Sequence, residues 1–386
     1  MHIGFAGPIS LAPLVKRLGC APPPTYSFPY TGQLVDMWLE QGHQVTVFAT
    51  STELTQRWVR EAGPLAVVVV PGRQRARHYL RDFFGAERAA LSAAMRERAV
   101  DVVSAHWTYE FALAAIQSGL PAFVTAHDAP LRCAWEEGLS PFRWLRNSLA
   151  LPVVHRATAL SGVSPYAAGH LRRVLRAPGP VRVIPNGVRL AGLPPAAPVR
   201  PTDAPVFATV LNGWGPLKNG EAALRAFGRV RAMLPRARLL MFGAGFAAGG
   251  AAAAWAESRG LARGVEFAGP TDHRALLERI ATEATVLVHP SRVESFSMIL
   301  LEAMGIGVPV IAGRRSGGPP WVLGDGDAGM LVDVESVPEL AAAMVRLGTD
   351  AGLRTRLAGR ARGRVRGSFD LATVAREYVD WFESAA

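Results

Sequence analysis

HPSRVESFSMILLE, residues 289–302, joins a strand to a helix and sets the reading of the whole chain. The run leading into it, Ala284–Val288, is short, apolar and β-branched, which suits a strand buried in a parallel sheet. Pro290 and Ser291 break that run. Phe296–Met304 then reads as an apolar helical segment, closed by Gly305 and Gly307. Glu294 falls in the loop, and Glu302 lies eight residues further on the helix. A helix N-terminus offers unpaired N–H groups and partial positive charge, so the amides of Ser295, Phe296 and Ser297 suit a phosphate. A loop carboxylate suits sugar hydroxyls. A second carboxylate, about 1.5 Å per residue further along the helix, suits a ribose diol of the same ligand. Read this way, the segment takes a nucleotide-activated sugar. In a plainer reading Glu302 faces solvent or pairs with one of the many arginines, because an unpaired buried charge is costly. The two carboxylates alone leave both readings open.

The longer stretch ESFSMILLEAMGIGVPVIAG (Glu294–Gly313) resembles the E-x7-E segment of the family-4 retaining glycosyltransferases of the GT-B fold. Members of that family carry Gly where this chain has Ser297, a change the site tolerates if the backbone N–H makes the contact. The family's Gly-rich turn after the next strand is matched by RRSGGPPW (Arg314–Trp321), with Trp321 in place of an acidic residue. The resemblance implies two doubly wound, Rossmann-like α/β domains facing a cleft. It puts a nucleoside-diphosphate sugar, with UDP the expected nucleotide, on the C-terminal domain and the acceptor on the N-terminal one. Ser295, Phe296, Ser297, Met298 and Glu302 would then contact the donor nucleotide and Glu294 the transferred sugar.

The totals agree with two domains, since 386 residues exceed one ordinary core. Hydrophobic residues make up 49% of the chain, yet no window approaches eighteen uninterrupted apolar positions, so no transmembrane helix is expected. MHIGFAG at the N-terminus reads as a strand without a basic leader, so no signal peptide is expected. Cys20 and Cys133 have no metal-ligand spacing, and a cytoplasmic protein is expected. The net charge of +11 is uneven: residues 1–190 hold 20 Lys+Arg against 12 Asp+Glu, residues 191–386 hold 22 against 19. A basic N-terminal half suits an anionic substrate or membrane surface. No zinc-finger, basic-helix or RNP pattern points to nucleic acid. Of 42 basic residues only Lys16 and Lys218 are lysines, so each invites a reason for a compact ammonium.

In chain order, strands are expected at Ile3–Ala6, Val45–Ala49, Ala66–Val70, Val102–Ala105, Ala122–Thr125 and Ala159–Val163. Helices are expected at Gln33–Gln41, Glu53–Glu61, Arg77–Arg98, Phe111–Ser118 and about Phe142–Arg156. Such alternation implies a parallel sheet, with ligands beyond the carboxyl ends of its strands. A Pro- and aromatic-rich loop (Gly7–Gly32) follows the first strand. Its Tyr26, Phe28 and Tyr30 are suited to stacking on a ligand ring or to packing the loop against itself. In the family a Gly pair near the donor diphosphate closes this loop; here Gly32 remains and Thr31 replaces its partner. His106 and Trp107 follow the fourth strand and His127-Asp128 the fifth. VTAHD (Val124–Asp128) resembles the family segment whose His approaches the donor sugar. That role passes to His127, with Asp128 as an acceptor-side or orienting group beside Tyr30, His106, Trp107 and Glu136.

VRVIPNGV (Val181–Val188) resembles the family's domain border. The first domain is therefore expected over 1–190, a proline-rich linker over 191–205 and the second domain over 206–369. A last helix, 370–386, would return to the first domain. The second domain restarts the alternation, with strands at Phe207–Leu211, Leu239–Phe242, Val265–Ala268, Thr285–Val288, Val308–Ala312 and Met330–Val332. Lys218 precedes the helix after the first of these, where family members hold the diphosphate with a Lys and an Arg; the Arg position is Gly213 here. Either Arg292 supplies that charge or Lys218 carries more of it. Gly243-Ala-Gly-Phe-Ala-Ala248 fits a dinucleotide fingerprint and would on its own suit an NAD-dependent dehydrogenase. Its place in the second domain, and the family's own Gly-x-Gly beside the nucleotide, favour assigning Gly243 to the donor.

The resemblance implies retaining transfer without an enzyme nucleophile, in which a diphosphate oxygen helps deprotonate the acceptor. His127, Lys218 and Glu294 would be the catalytic groups. No cofactor beyond the donor is expected, and no metal, since no Asp-x-Asp loop is present. Glu110, Asp128, Glu136 and Glu137 lie among Trp107, Tyr109 and Trp135, which suits a small hydroxylated, amine-bearing acceptor such as an aminocyclitol or another natural-product core. In the alternative these carboxylates pair with Arg132, Arg143 and Arg146 and leave a basic rim. PFRWLRNSLALPVVHR (Pro141–Arg156), with interfacial-helix spacing, then gives peripheral contact with a membrane and a lipid-linked or cell-envelope acceptor. Nothing in the sequence sets an oligomeric state.

Overall fold

The structure, a computed structural model, describes residues 1–74, 76–79, 81–136, 141–195, 198–199 and 201–384. It divides into two compact units, Met1–Gly187 with Leu371–Ala386, and Val188–Asp370. The division falls a few residues before the expected border and counts the proline-rich stretch with the second unit.

Unit 1 is built on eight strands: β1 (His2–Ala6), β2 (Gln44–Ser51), β3 (Trp58–Ala62), β4 (Leu65–Pro71), β5 (Val102–His106), β6 (Ala122–Ala126), β7 (Ala159–Gly162) and β8 (Val181–Val183), in the order β3-β4-β2-β1-β5-β6-β7-β8. All pair in parallel except β3 with β4. Without β3 this is the doubly wound order, reversing between β1 and β5. Phe5, Phe48, Val68, Val103, Phe123 and Val124 are buried along its strands, as helices on both faces require. The C-terminal helix Leu371–Ser384 packs on this unit. Trp38 Nε1 donates to the Ala375 carbonyl at 3.1 Å, and the Trp38 ring meets Tyr378 and Phe382 edge-on.

Three expected helices differ. Glu53–Glu61 is no helix: Trp58–Ala62 is a strand, because Gly63 (φ 59) and Pro64 close a two-residue hairpin that pairs Ala62 with Leu65. Arg77–Arg98 is interrupted, since Phe83 and Phe84 both have positive φ; the Asp82 carboxylate accepts from Ala86 N where the helix Gly85–Arg96 begins. Phe142–Arg156 divides into Pro141–Ser148 and Ala150–Arg156, because Pro152 has no N–H to continue the first ladder.

Unit 2 holds β9 (Val206–Val210), β10 (Arg238–Phe242), β11 (Val265–Gly269), β12 (Val286–His289), β13 (Val310–Gly313) and β14 (Met330–Val332). Their order, β11-β10-β9-β12-β13-β14 and all parallel, reverses between β9 and β12. The loops leaving those two strands therefore border the crevice where such sheets bind ligands. No helix among the described residues is long and apolar enough to cross a membrane.

Candidate active site

At the unit 2 switch point, β9 runs into the turn 211–219 and β12 into Pro290–Ser297. Asn219, left-handed at φ 55, starts the helix Gly220–Met233, and its side-chain amide donates to the carbonyls of Pro290 (3.1 Å) and Val334 (3.0 Å). Arg292 N donates to the Leu217 carbonyl at 2.9 Å, so the two loops are tied by backbone and side chain. This places Lys218 Nζ 2.7 Å from Glu294 Oε1, with His289 Nε2 at 3.4 Å from the same oxygen. The Glu294 backbone is held on both sides, its N–H donating to Ser316 O and its carbonyl accepting from Gly318 N, each at 2.8 Å. Burial by itself raises the Glu294 pKa, but His289 and Lys218 outweigh it and hold the carboxyl at about 2. Glu294 is therefore an anion at neutral pH, with an ammonium beside it.

The helix after this loop runs Met298–Ile306, two residues later than expected. Its N-cap is Ser297, at φ 77 and ψ 99, whose hydroxyl makes no cap bond, so the first-turn amides from Met298 onward lack side-chain partners of that kind. Phe296 is buried and packs its ring against Trp321 and Phe369. Ser295 lies between it and Glu294. Glu302 is buried on the helix and takes its partner from another element: His273, at the start of the helix His273–Glu283, lies 2.8 Å from Glu302 Oε1. That bond raises the His273 pKa, against the opposing effect of burial.

In unit 1 the carboxyl ends of β5 and β6 bring two histidines together. His106 Nδ1 and His127 Nε2 are 2.8 Å apart, and His106 Nε2 lies 3.2 Å from Ser104 Oγ. Trp107, left-handed at φ 66, stacks on His127 at 4.3 Å between ring centroids, and Phe28 closes edge-on over both rings. Burial pushes the His106 pKa down to about 3; burial, then His106, lowers that of His127. Both rings are neutral at pH 7. Beside them Tyr109 donates to Asp128 Oδ2 at 2.9 Å, while Arg146 forks onto both oxygens of Glu110 and lies over the Tyr109 ring.

Residues 29–191 match the family described as Glycosyltransferase Family 4, and residues 200–364 match Glycosyl transferases group 1. The chain belongs to the family-4 GT-B glycosyltransferases. It is 29% identical over 386 residues, 89% of each chain, to a protein of Actinosynnema mirum named D-inositol 3-phosphate glycosyltransferase. Its fold is similar to that of a sucrose-phosphate synthase from Thermosynechococcus elongatus, with a TM-score of 0.79 at 21% identity over 100% of this chain and 98% of that one. It is also similar to Anabaena HepE, solved in complex with UDP and glucose, with a TM-score of 0.69 at 17% identity over all of both chains.

Within this glycosyltransferase, the structure joins Lys218 to Glu294 and leaves Glu302 to His273. Arg292, the neighbour considered for the charge missing at Gly213, places its Nε 3.3 Å from Glu335 Oε1. Gly213, at φ 107, donates its N–H to the Ala244 carbonyl. Gly243 closes the end of β10, where a Cβ would fall 1.9 Å from the Leu211 carbonyl oxygen. Its turn follows the second strand of the unit, whereas a dinucleotide fingerprint follows the first, so the dehydrogenase reading falls. Gly32 lies in the first turn of the helix Pro29–Glu40, where a Cβ would meet Ser10 O at 2.1 Å.

Tyr30 is buried under the aromatic cluster, 6.3 Å from the His127 ring, and Tyr26 is exposed. His106, expected to face the acceptor, is fully buried with both nitrogens bonded inside the protein, so it cannot touch a ligand. Glu110 is taken up by Arg146. The Glu136 side chain and all of Glu137 lie outside the described residues. Among the described residues no group of three or more His, Cys, Asp or Glu has metal-site geometry. Two partners escaped the sequence reading, His289 and His273. His289 had a signal in its place as the last residue of a buried strand; His273 had none, because its partner is twenty-nine positions away.

Proposed function

We propose that the chain transfers a hexosyl or N-acetylhexosaminyl group from a UDP-sugar, with retention of configuration, to a hydroxyl of a small polar cyclitol-type acceptor. The observation that carries this is the Lys218–Glu294–His289 group at the unit 2 switch point, beside the amide end of the helix Met298–Ile306. A compact cation and unpaired amides suit the diphosphate; an ionised, immobile carboxylate suits sugar hydroxyls. Glu302, carried on the same helix, suits the ribose diol. The leaving diphosphate gathers negative charge as its bond to the sugar breaks, and Lys218 and the helix amides stabilise that charge most when it is fully developed. A diphosphate oxygen then takes the acceptor proton on the same face, so no enzyme base is required. The relative named for D-inositol 3-phosphate, and the HepE structure with UDP and glucose, support a cyclitol acceptor and a UDP donor. The test is hydrolysis and transfer across a panel of nucleotide sugars, with inositol, inositol phosphates and aminocyclitols as acceptors, with and without EDTA. Turnover of UDP-sugars unaffected by EDTA supports the reading; strict dependence on added metal, or no turnover with any donor, overturns it.

One observation favours a lipid-linked acceptor instead. Trp135 is 69% exposed next to the Arg-bearing helix Pro141–Ser148, and residues 138–202 contain no Asp or Glu. Co-sedimentation with anionic vesicles distinguishes the two, since the cyclitol reading expects none.

A further inference from the structure

The paired histidines of unit 1 carry more than an aromatic packing role. Ser104, His106 and His127 form one hydrogen-bonded line, Ser104 Oγ to His106 Nε2 at 3.2 Å and His106 Nδ1 to His127 Nε2 at 2.8 Å. All three are buried. The line ends at His127 Nδ1, a buried atom with no hydrogen-bond partner among the described residues.

The direction of the protons along this line is set by its first member. Ser104 sits inside β5, and His106 Nε2 is the only side-chain partner of its hydroxyl among the described residues. A buried hydroxyl that fails to donate leaves a polar hydrogen unsatisfied, and such a group is expensive. Ser104 therefore donates to His106 Nε2. A neutral His106 must then carry its proton on Nδ1 and donate it to His127 Nε2. A neutral His127 must in turn carry its proton on Nδ1. The opposite direction strands the Ser104 hydrogen and turns His127 Nδ1 into an acceptor. Burial keeps both rings uncharged, so a doubly protonated ring does not intervene. Trp107, held at φ 66 and stacked on the His127 ring, fixes the plane in which that last N–H lies.

We infer that Ser104 and His106 are positioning residues that lock His127 as a neutral Nδ1–H donor, aimed at a ligand oxygen such as a sugar hydroxyl. His127 thus acts by donating a hydrogen bond and not as a general base. This deepens the transferase reading and rests on it for the identity of the ligand, whereas the tautomer itself belongs to the protein alone.

The experiment is nitrogen-15 NMR of histidine-labelled protein at pH 7, which separates Nδ1–H from Nε2–H rings by their shifts and two-bond couplings. Both His106 and His127 are expected as Nδ1–H tautomers, and His127 as Nε2–H in the wild type would overturn the inference whether or not any variant folds. His106→Asn retains a donor toward His127 and is expected to keep its tautomer. His106→Ala is expected to release it and to lower kcat/KM about tenfold or more, an effect that His106→Asn largely recovers. Equal activity in His106→Ala and wild type also counts against it. A protein that shows the tautomer yet transfers no sugar defeats the transferase reading and leaves the tautomer assignment standing.

Discussion

Lys218 Nζ and Glu294 Oε1 meet at 2.7 Å although seventy-six residues separate them in the chain. The pair is a consequence of the sheet order, which sets the loop after β9 beside the loop after β12. One member is cationic and suits phosphate, the other anionic and suits hydroxyls, so the proposed nucleotide-sugar donor would find both chemistries at a single point.

Removing the cation tests the first half. Lys218→Ala is expected to lower kcat/KM by about 10²–10³-fold, the scale of losing one contact to a charge that develops in the transition state. Lys218→Arg should recover only part, because a planar fork does not reproduce a compact ammonium. Steady-state kinetics decide it, and near-normal turnover in the Ala variant would remove Lys218 from the site.

The two carboxylates of the motif should separate by ligand. Glu302→Gln is expected to weaken binding of UDP itself, while Glu294→Gln spares UDP and impairs turnover and choice of sugar. Calorimetry on both variants measures this; equal losses for UDP and UDP-sugar in each would contradict the division. Glu302→Gln should also bring the raised His273 pKa back toward the ordinary imidazole value of 6.5, read by NMR titration.

Acid should unfold the protein partly through Glu294. Its folded pKa of about 2 lies below the ordinary glutamate value of 4.5. Its contribution to stability is therefore complete above pH 4.5 and is lost as pH falls through that value toward 2. Chemical denaturation between pH 6 and pH 3 should show a smaller loss for Glu294→Gln than for wild type. Identical pH dependence in the two proteins would show that the carboxylate is not held by its partners.

Ser297 is the fourth test. It occupies φ 77, where a side chain is strained and glycine is not. Ser297→Gly should raise stability by about 1 kcal/mol with donor affinity retained, and Ser297→Val should lower both. Thermal unfolding and UDP titration give the answer; destabilisation by glycine would mean that the serine hydroxyl makes a contact of its own.

Much of this was legible in the chain. The apolar run before His289, the alternation of strands and helices and the spacing of Glu294 and Glu302 identify two doubly wound units, because periodicity and strand composition are local properties. The rarity of lysine singled out Lys218 without any structure. The Gly63-Pro64 hairpin was equally local, but the helix expected over Glu53–Glu61 left no place for the strand that β3 forms against β4. Other features were beyond sequence. That Glu302 bonds His273 and that His106 is buried against His127 depend on which elements the sheet order sets side by side. The pairing of Glu110 with Arg146, by contrast, was one of the two readings the sequence offered. Spacing along a chain reports one helix face or one strand edge. A hydrogen bond between elements that are twenty or more residues apart exists only after the sheet has closed, and so the partners, the charge states and the direction of the protons were decided by the tertiary structure.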